Sequence, residues 1–145
     1  MKRVLLAGFL MLFLLPACAI VPEREPLRLL PEDRGPMPYN DLSTRARLQA
    51  TGAMEAYYVD RWSDVEDAAR GLEQTARFLA KAQDVPAKQK DALPKLSENL
   101  AKEAVLLRDS AKEKDAKKVH ESLTRVQSMV RELTPPPSPE KEPKE

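Results

Sequence analysis

Side chains able to do covalent or acid–base chemistry are scarce in this 145-residue chain, which has one cysteine, Cys18, and one histidine, His120. A single cysteine excludes an internal disulfide, a Cys-x-x-Cys redox or haem-attachment motif, and a cysteine-rich zinc site. No nucleophile paired with a base and no glycine-rich phosphate loop can be recognised. The sequence therefore contains no positive indication of an enzyme.

His120 has the chemistry of a metal or haem ligand, because neutral imidazole binds metals well. A di-iron bundle requires Glu-x-x-His, but Lys117 stands three residues before His120. Met54 would be the second axial ligand by analogy, although a methionine on a helix face more often fills a core. We therefore expect His120 at an exposed or boundary position, and neither cofactor nor metal.

The first residues have the order of a secretory signal, in which positive charge precedes an apolar stretch. Lys2 and Arg3 come before an unbroken apolar run at residues 4–15. A transmembrane helix needs about 20 such residues, so this run is too short to span a bilayer. The sequence predicts a signal peptide over residues 1–17.

Cys18 directly follows this segment, preceded by Leu15, Pro16 and Ala17. The tetrapeptide resembles the lipobox of bacterial lipoproteins, from which it departs at Pro16. The resemblance implies cleavage before Cys18, lipidation of the thiol by chains such as palmitate, and, because Ala19 follows, an outer-membrane location facing the periplasm. The alternative is an ordinary signal peptide whose cysteine lies here by chance.

Charge argues against nucleic acid as a partner. Removing residues 1–17 takes away Lys2 and Arg3, so 22 basic residues remain against 23 acidic ones. No basic run stands out that would neutralise phosphates. The expected partners are instead the membrane, through the lipid, and an unidentified envelope protein.

Prolines divide the chain into two arms and a middle. Five of the 13 prolines lie in residues 21–38 and five in the tail, residues 135–145. Proline-rich segments favour extended, unpacked structure, so residues 18–39 are predicted to be a lipidated, extended tether. The tail is predicted to be a disordered, solvated end, and the alternative is a peptide that docks in an aromatic groove. Leu27, Leu29 and Leu30 are the exception in the first arm, because such apolar side chains favour contact with the domain or the membrane surface.

The middle, residues 40–134, is predicted to be an all-α, antiparallel up-down four-helix bundle, since apolar residues recur at three- and four-residue steps. Asn40 or Asp41 would cap the first helix. The second would run over residues 63–82, opened by a capping box of Ser63 and Glu66.

The remaining two helices are predicted from the same spacing of apolar residues, which forms a stripe along one helix face. The third would enter near Pro86 and be kinked or broken at Pro94. The fourth would cover residues 116–133 with Asp115 as its cap. Gly71, inside the second helix, suggests close approach of another backbone.

The bundle looks like the periplasmic cytochrome c-prime and cytochrome b562 group. The resemblance rests on Asp60, Arg61 and Trp62 at the head of the second helix. It also rests on residues 100–107 near the end of the third helix and on Asp115 before the fourth. Where that family carries Cys-x-x-Cys-His, this chain has residues 126–130, Val-Gln-Ser-Met-Val. The resemblance therefore implies a haemless member without electron transfer.

Tyr57, Tyr58 and Trp62 cluster in sequence between the first two helices, where aromatics are typical of core caps and also of interface anchors. We expect a lipid-anchored envelope protein with a structural or protein-interaction role and no catalysis. The alternative is a small-ligand or haem-binding periplasmic module.

Overall fold

The structure, a computed structural model, describes residues 28–133. The signal segment, Cys18 and the tail lie outside the described residues, so the expectations for them stay predictions. Residues 28–133 contain four helices and no strand, namely α1 (Tyr39–Tyr58), α2 (Trp62–Leu79), α3 (Leu93–Lys112) and α4 (Ala116–Leu133).

The four helices form a ring in which α1 and α3 each pack against both α2 and α4. At one end, the Tyr39 hydroxyl donates a hydrogen bond to the Leu133 carbonyl, so the start of α1 lies beside the end of α4. At the other end, the Tyr57 hydroxyl donates to the Ala116 carbonyl over 3.2 Å. The prediction of an antiparallel, up-down, all-α four-helix bundle is confirmed.

The core is built from the apolar stripes that the sequence predicts. Each helix buries one face, which is the arrangement that most stabilises short helices. The stripe of α2 is buried at Val65, Ala69, Leu72, Ala76 and Leu79, and that of α4 at Val119, Leu123, Val126, Val130 and Leu133. Helix α1 contributes mainly alanines and α3 mainly leucines, so small and large side chains face one another across the core.

Each connection between helices contains one residue in the left-handed region: Asp60, with φ 56°, Asp84, with φ 54°, and Lys114, with φ 54°. Glycine usually occupies such positions at helix ends, and aspartate tolerates them because its short side chain bonds locally. Asp60 thus ends α1 and turns the chain into α2, where the sequence has neither glycine nor proline.

The predicted start of α3 near Pro86 is wrong. The helix begins at Leu93, which is also where its leucine stripe begins, and Pro94 lies in its first turn. A proline there fits because the first backbone N–H groups of a helix have no partner within it. The predicted kink at Pro94 is therefore absent, and the Gln89 N–H donates to the Pro86 carbonyl in a separate turn, over 2.8 Å.

The cap prediction for α4 is confirmed. A carboxylate oxygen of Asp115 accepts a hydrogen bond from the backbone N–H of Lys118 over 3.0 Å. That bond is the main reason that the pKa of Asp115 lies below its ordinary value. The first turn of α4 is thus stabilised as the sequence predicts.

The cap predictions for α1 and α2 are wrong. Pro38 precedes α1, and no side chain caps that helix. The hydroxyl of Ser63 lies 3.3 Å from the carboxylate of Asp64 instead of capping α2, which starts one residue earlier, at Trp62, and ends at Leu79. Tertiary packing rather than capping sets these two helix starts.

Gly71 lies against a side chain, not against the expected backbone. A Cβ atom at Gly71 would stand 2.5 Å from Nε2 of Gln49 on α1. Gln49 is 4% exposed, and its Oε1 accepts a hydrogen bond from the Thr75 hydroxyl over 2.8 Å, while its Nε2 has no partner. The absence of a side chain at Gly71 leaves room for this polar pair between α1 and α2.

The described part of the arm is fixed to the bundle. The backbone N–H of Leu30 donates to Oε1 of Gln74, and Nε2 of Gln74 donates to the Leu30 carbonyl, both over 2.7 Å. The N–H of Gln83 donates to the Met37 carbonyl, and that of Tyr39 to the Gln83 carbonyl, both over 2.9 Å. For residues 30–38 the expectation of an unpacked spacer is thus corrected, and Leu30 lies against the domain.

Replacing Gln74 with alanine is expected to release the arm. Gln74 is 3% exposed, and its loss removes both bonds to Leu30. A lost hydrogen bond that leaves its partner unsatisfied costs about 1–3 kcal/mol, so we expect the free energy of unfolding to fall by that amount. We also expect faster tryptic cleavage after Arg34. Gln89→Ala is the control, because the Gln89 side chain donates one hydrogen bond, from its Nε2 to the Glu132 carbonyl, and does not contact the arm. Unchanged cleavage in the Gln74 variant would contradict the role of this contact.

Candidate functional site

An aromatic cluster covers one end of the bundle where α1, α2 and α4 meet. We call Tyr57, Tyr58, Trp62 and His120 the aromatic corner. Tyr57 and Tyr58 end α1, and Trp62 begins α2. His120 lies one turn into α4, which reaches this end because α4 runs antiparallel to α1.

Tyr57 is the centre of the aromatic corner. Its ring centroid lies 5.7 Å from that of Tyr58, 6.0 Å from that of Trp62 in an edge-on arrangement, and 6.1 Å from that of His120. Edge-on and tilted pairs at such distances stabilise beyond the area they bury. With its hydroxyl on the Ala116 carbonyl, Tyr57 links all three helices.

Exposure divides the predicted aromatic cluster into two parts. Tyr57 and Trp62 are half-buried and pack against the core, as core caps do. Tyr58 is 70% exposed, and Val59 beside it is 60% exposed. The exposed Tyr58 ring thus lies against the half-buried ring of Tyr57.

His120 is exposed on α4, as the sequence predicts, and it stands beside Tyr57. Met54 is half-buried against the core, so these two candidate axial ligands lie in different environments. Residues 28–133 contain no group of three or more histidine, cysteine, aspartate or glutamate side chains able to hold a metal ion. The arrangement supports contact between surfaces better than ligation.

Residues 126–130, which the resemblance sets against the haem-attachment motif of the cytochromes, lie on α4. Val126 is fully buried and Val130 is 3% exposed, and both belong to the core. Val126 and Val130 contribute to packing and have no atom that can ligate iron, and Met129, at the position of the second cysteine, is half-buried against the core.

No family model, no curated protein and no solved structure matches this chain. None of the helices within residues 28–133 combines the length and the apolarity needed to cross a bilayer.

Sequence reasoning grouped Tyr57, Tyr58 and Trp62 correctly but missed Val59 and the neighbourhood of His120. An apolar residue directly after a helix end was the available signal for Val59. For His120 the signal was positional: in an antiparallel pair, the first turn of α4 faces the last turn of α1. This positional signal would have placed His120 beside Tyr57.

Proposed function

We propose that this chain is a lipid-anchored protein of the bacterial cell envelope that acts by binding another envelope protein and not by catalysis. The observation that carries the proposal is the exposure of Tyr58 and Val59, 70% and 60%, with the Tyr58 ring packed against that of Tyr57. Tyrosine is among the residues that contribute most to binding at interfaces, because it combines a large apolar face with a hydroxyl.

The geometry of the aromatic corner supports this proposal. Isolated surface apolar residues are common in monomers. Tyr58, however, is held against Tyr57, whose own position is fixed by Trp62 and by the Ala116 carbonyl. A pre-positioned side chain loses little entropy on binding, which increases affinity. The proposed partner presents an apolar pocket with a hydrogen-bond acceptor for the Tyr58 hydroxyl.

The proposed lipid gives this surface a location. It rests on the sequence at Cys18, which lies ten residues before the described part of the chain begins. Anchoring confines the bundle near one membrane, so a partner in the same membrane meets it at a high effective concentration. A modest interface around Tyr58 then suffices for a stable complex.

The test is photocrosslinking in intact cells from a benzoylphenylalanine placed at residue 58. We expect a defined adduct with one envelope protein. The matched control is residue 106, because Leu106 is also an exposed apolar side chain, 53% exposed, on α3. The same adduct from both positions, or none from residue 58, would contradict an interface at the aromatic corner.

Tyr58→Ala is expected to weaken the complex about thirtyfold, as truncation of a central interface aromatic does. Because Tyr58 is mostly exposed and loses one ring contact, with Tyr57, the free energy of unfolding should fall by no more than about 1.5 kcal/mol. Affinity is measured with the purified partner found by crosslinking, and Leu106→Ala is the control. Equal affinities of the two variants would remove Tyr58 from the interface.

A further inference from the structure

A small cleft opens where the arm crosses α2. It measures about 270 Å³ and is lined by Glu32, Arg34, Pro36, Arg77, Phe78 and Lys81. Three of these six side chains are cations and one is an anion. The arm contributes Arg34, and α2 with the turn after it contributes the other two cations, so the cleft exists only while the arm is docked.

The single carboxylate in the cleft is already engaged. Glu32 accepts hydrogen bonds from Nε2 of Gln74 and from the guanidinium of Arg77, both over 3.2 Å. Arg77 also lies 3.5 Å from a carboxylate oxygen of Glu73. Arg34 and Lys81, by contrast, form no ion pair with any carboxylate in residues 28–133, and Asp33 beside Arg34 is exposed to solvent.

Arg45 on α1 is a further cation in contact with the arm. Its guanidinium donates to the Arg28 carbonyl, and its Nε is buried without a hydrogen-bond partner. Burial lowers the pKa of Arg45, and the positive charge of Arg34 lowers it further. At the seam between arm and bundle, neither Arg34 nor Arg45 therefore pairs with a carboxylate in the described residues.

Such an arrangement favours an anion with several oxygens. Guanidinium groups bind phosphate through paired N–H donors, which is why arginine predominates at phosphate sites. An anion at the seam would pair with Arg34 and Lys81 and relieve the repulsion between Arg34 and Arg45. The cleft has room for a phosphate group but is small for a large organic ligand.

Two further features favour a phosphate at a membrane surface over one in solution. Leu29 is 49% exposed next to Arg28, and Leu48 is 45% exposed one turn after Arg45. Exposed leucines beside unpaired cations are typical of surfaces that lie on anionic bilayers. Arg28 follows Cys18 by ten residues, so a lipid at Cys18 would hold it within about 35 Å of the membrane.

We propose that the cleft between the arm and α2 binds the phosphate group of an anionic phospholipid headgroup, with Arg34 and Lys81 as its main contacts. The inference rests on the proposed anchoring, since the lipid brings the cleft to the membrane. Binding of the headgroup would orient the bundle on the membrane and stabilise the docked arm.

The test measures vesicle binding without the anchor. The mature chain, residues 18–145 with Cys18→Ser, is sedimented with vesicles of phosphatidylglycerol and phosphatidylethanolamine in equal parts. Phosphatidylcholine vesicles are the neutral control. We expect binding to the anionic vesicles only, although this chain carries 22 basic and 23 acidic residues and so has no net positive charge to attract it.

Variants locate the site. A cation near an anionic membrane strengthens binding about fivefold, so Arg34→Gln combined with Lys81→Gln should weaken it about thirtyfold. The matched control combines Lys95→Gln with Arg131→Gln, two exposed cations on α3 and α4. Helical content of every variant is checked by circular dichroism, because an unfolded variant would not report on the cleft.

The outcomes distinguish a lipid headgroup from free phosphate as the ligand, and they distinguish failure of the cleft proposal from failure of the proposed anchoring. Equal losses in the two double variants would reveal diffuse attraction and overturn the site. Binding of inorganic phosphate, detected by calorimetry, without vesicle binding would overturn the lipid as its source. Because the tested chain has no acyl group, failure here leaves anchoring at Cys18 untouched, and that is measured separately on the full chain.

Discussion

Leu107→Ala is expected to lower the free energy of unfolding by about 3 kcal/mol. Leu107 is fully buried in the leucine stripe of α3, between α2 and α4. Its truncation removes apolar contacts and leaves a cavity that tightly packed helices fill only in part. The expected loss lies in the range observed when buried leucines are replaced by alanine. Chemical denaturation measures this difference in the free energy of unfolding directly, provided that its slope against denaturant concentration is the same for both proteins.

The matched control is the neighbouring residue. Leu106 lies on the same helix and is 53% exposed, so Leu106→Ala makes the same chemical change at a position that faces solvent. We expect it to change the free energy of unfolding by no more than about 0.5 kcal/mol. Equal losses at both residues would contradict the orientation of α3 in the bundle.

The sequence allowed α4 to be predicted residue by residue. Its stripe repeats without interruption, Asp115 supplies a cap, and a proline follows at residue 135. Each of these signals is local and they agree, which is the condition under which sequence patterns are most reliable. Residues 116–133 are helical as predicted.

The start of α3 shows where local signals conflict. Pro86 and Pro94 each fit a first helical turn, while the leucine stripe begins only at Leu93. The structure follows the stripe, because burial of leucines stabilises a helix more than its intrinsic entry signals do. Residues 87–92 form turns instead, and a proline treated as a helix breaker lies in the first turn of the helix.

The two candidate sites, the aromatic corner and the cleft, could be predicted from the sequence to different degrees. Tyr57, Tyr58 and Trp62 are close in sequence, so their clustering was predictable, whereas the exposure of Tyr58 alone was not. The cleft joins cations from the arm and from the α2 region. No basic run exists in the sequence to reveal it, so only the docked arm brings these charges together.

The largest expected effect concerns Cys18, because its thiol is the proposed point of attachment. Each buried CH₂ of an acyl chain contributes about 0.8 kcal/mol, and two or more chains hold a protein firmly on a membrane. Cys18→Ser leaves no thiol in the chain to carry a thioether-linked lipid. We expect the variant to lose all incorporated palmitate and to leave the membrane fraction.

The measurement that tests the account most directly is labelling of growing bacteria with radioactive palmitate, followed by isolation of the full chain. Ala19→Ser is the matched control, since it alters the neighbouring residue and keeps the thiol. We expect label in the unaltered chain and in the control, and none in Cys18→Ser. An unlabelled native chain, or label that persists without Cys18, would contradict it.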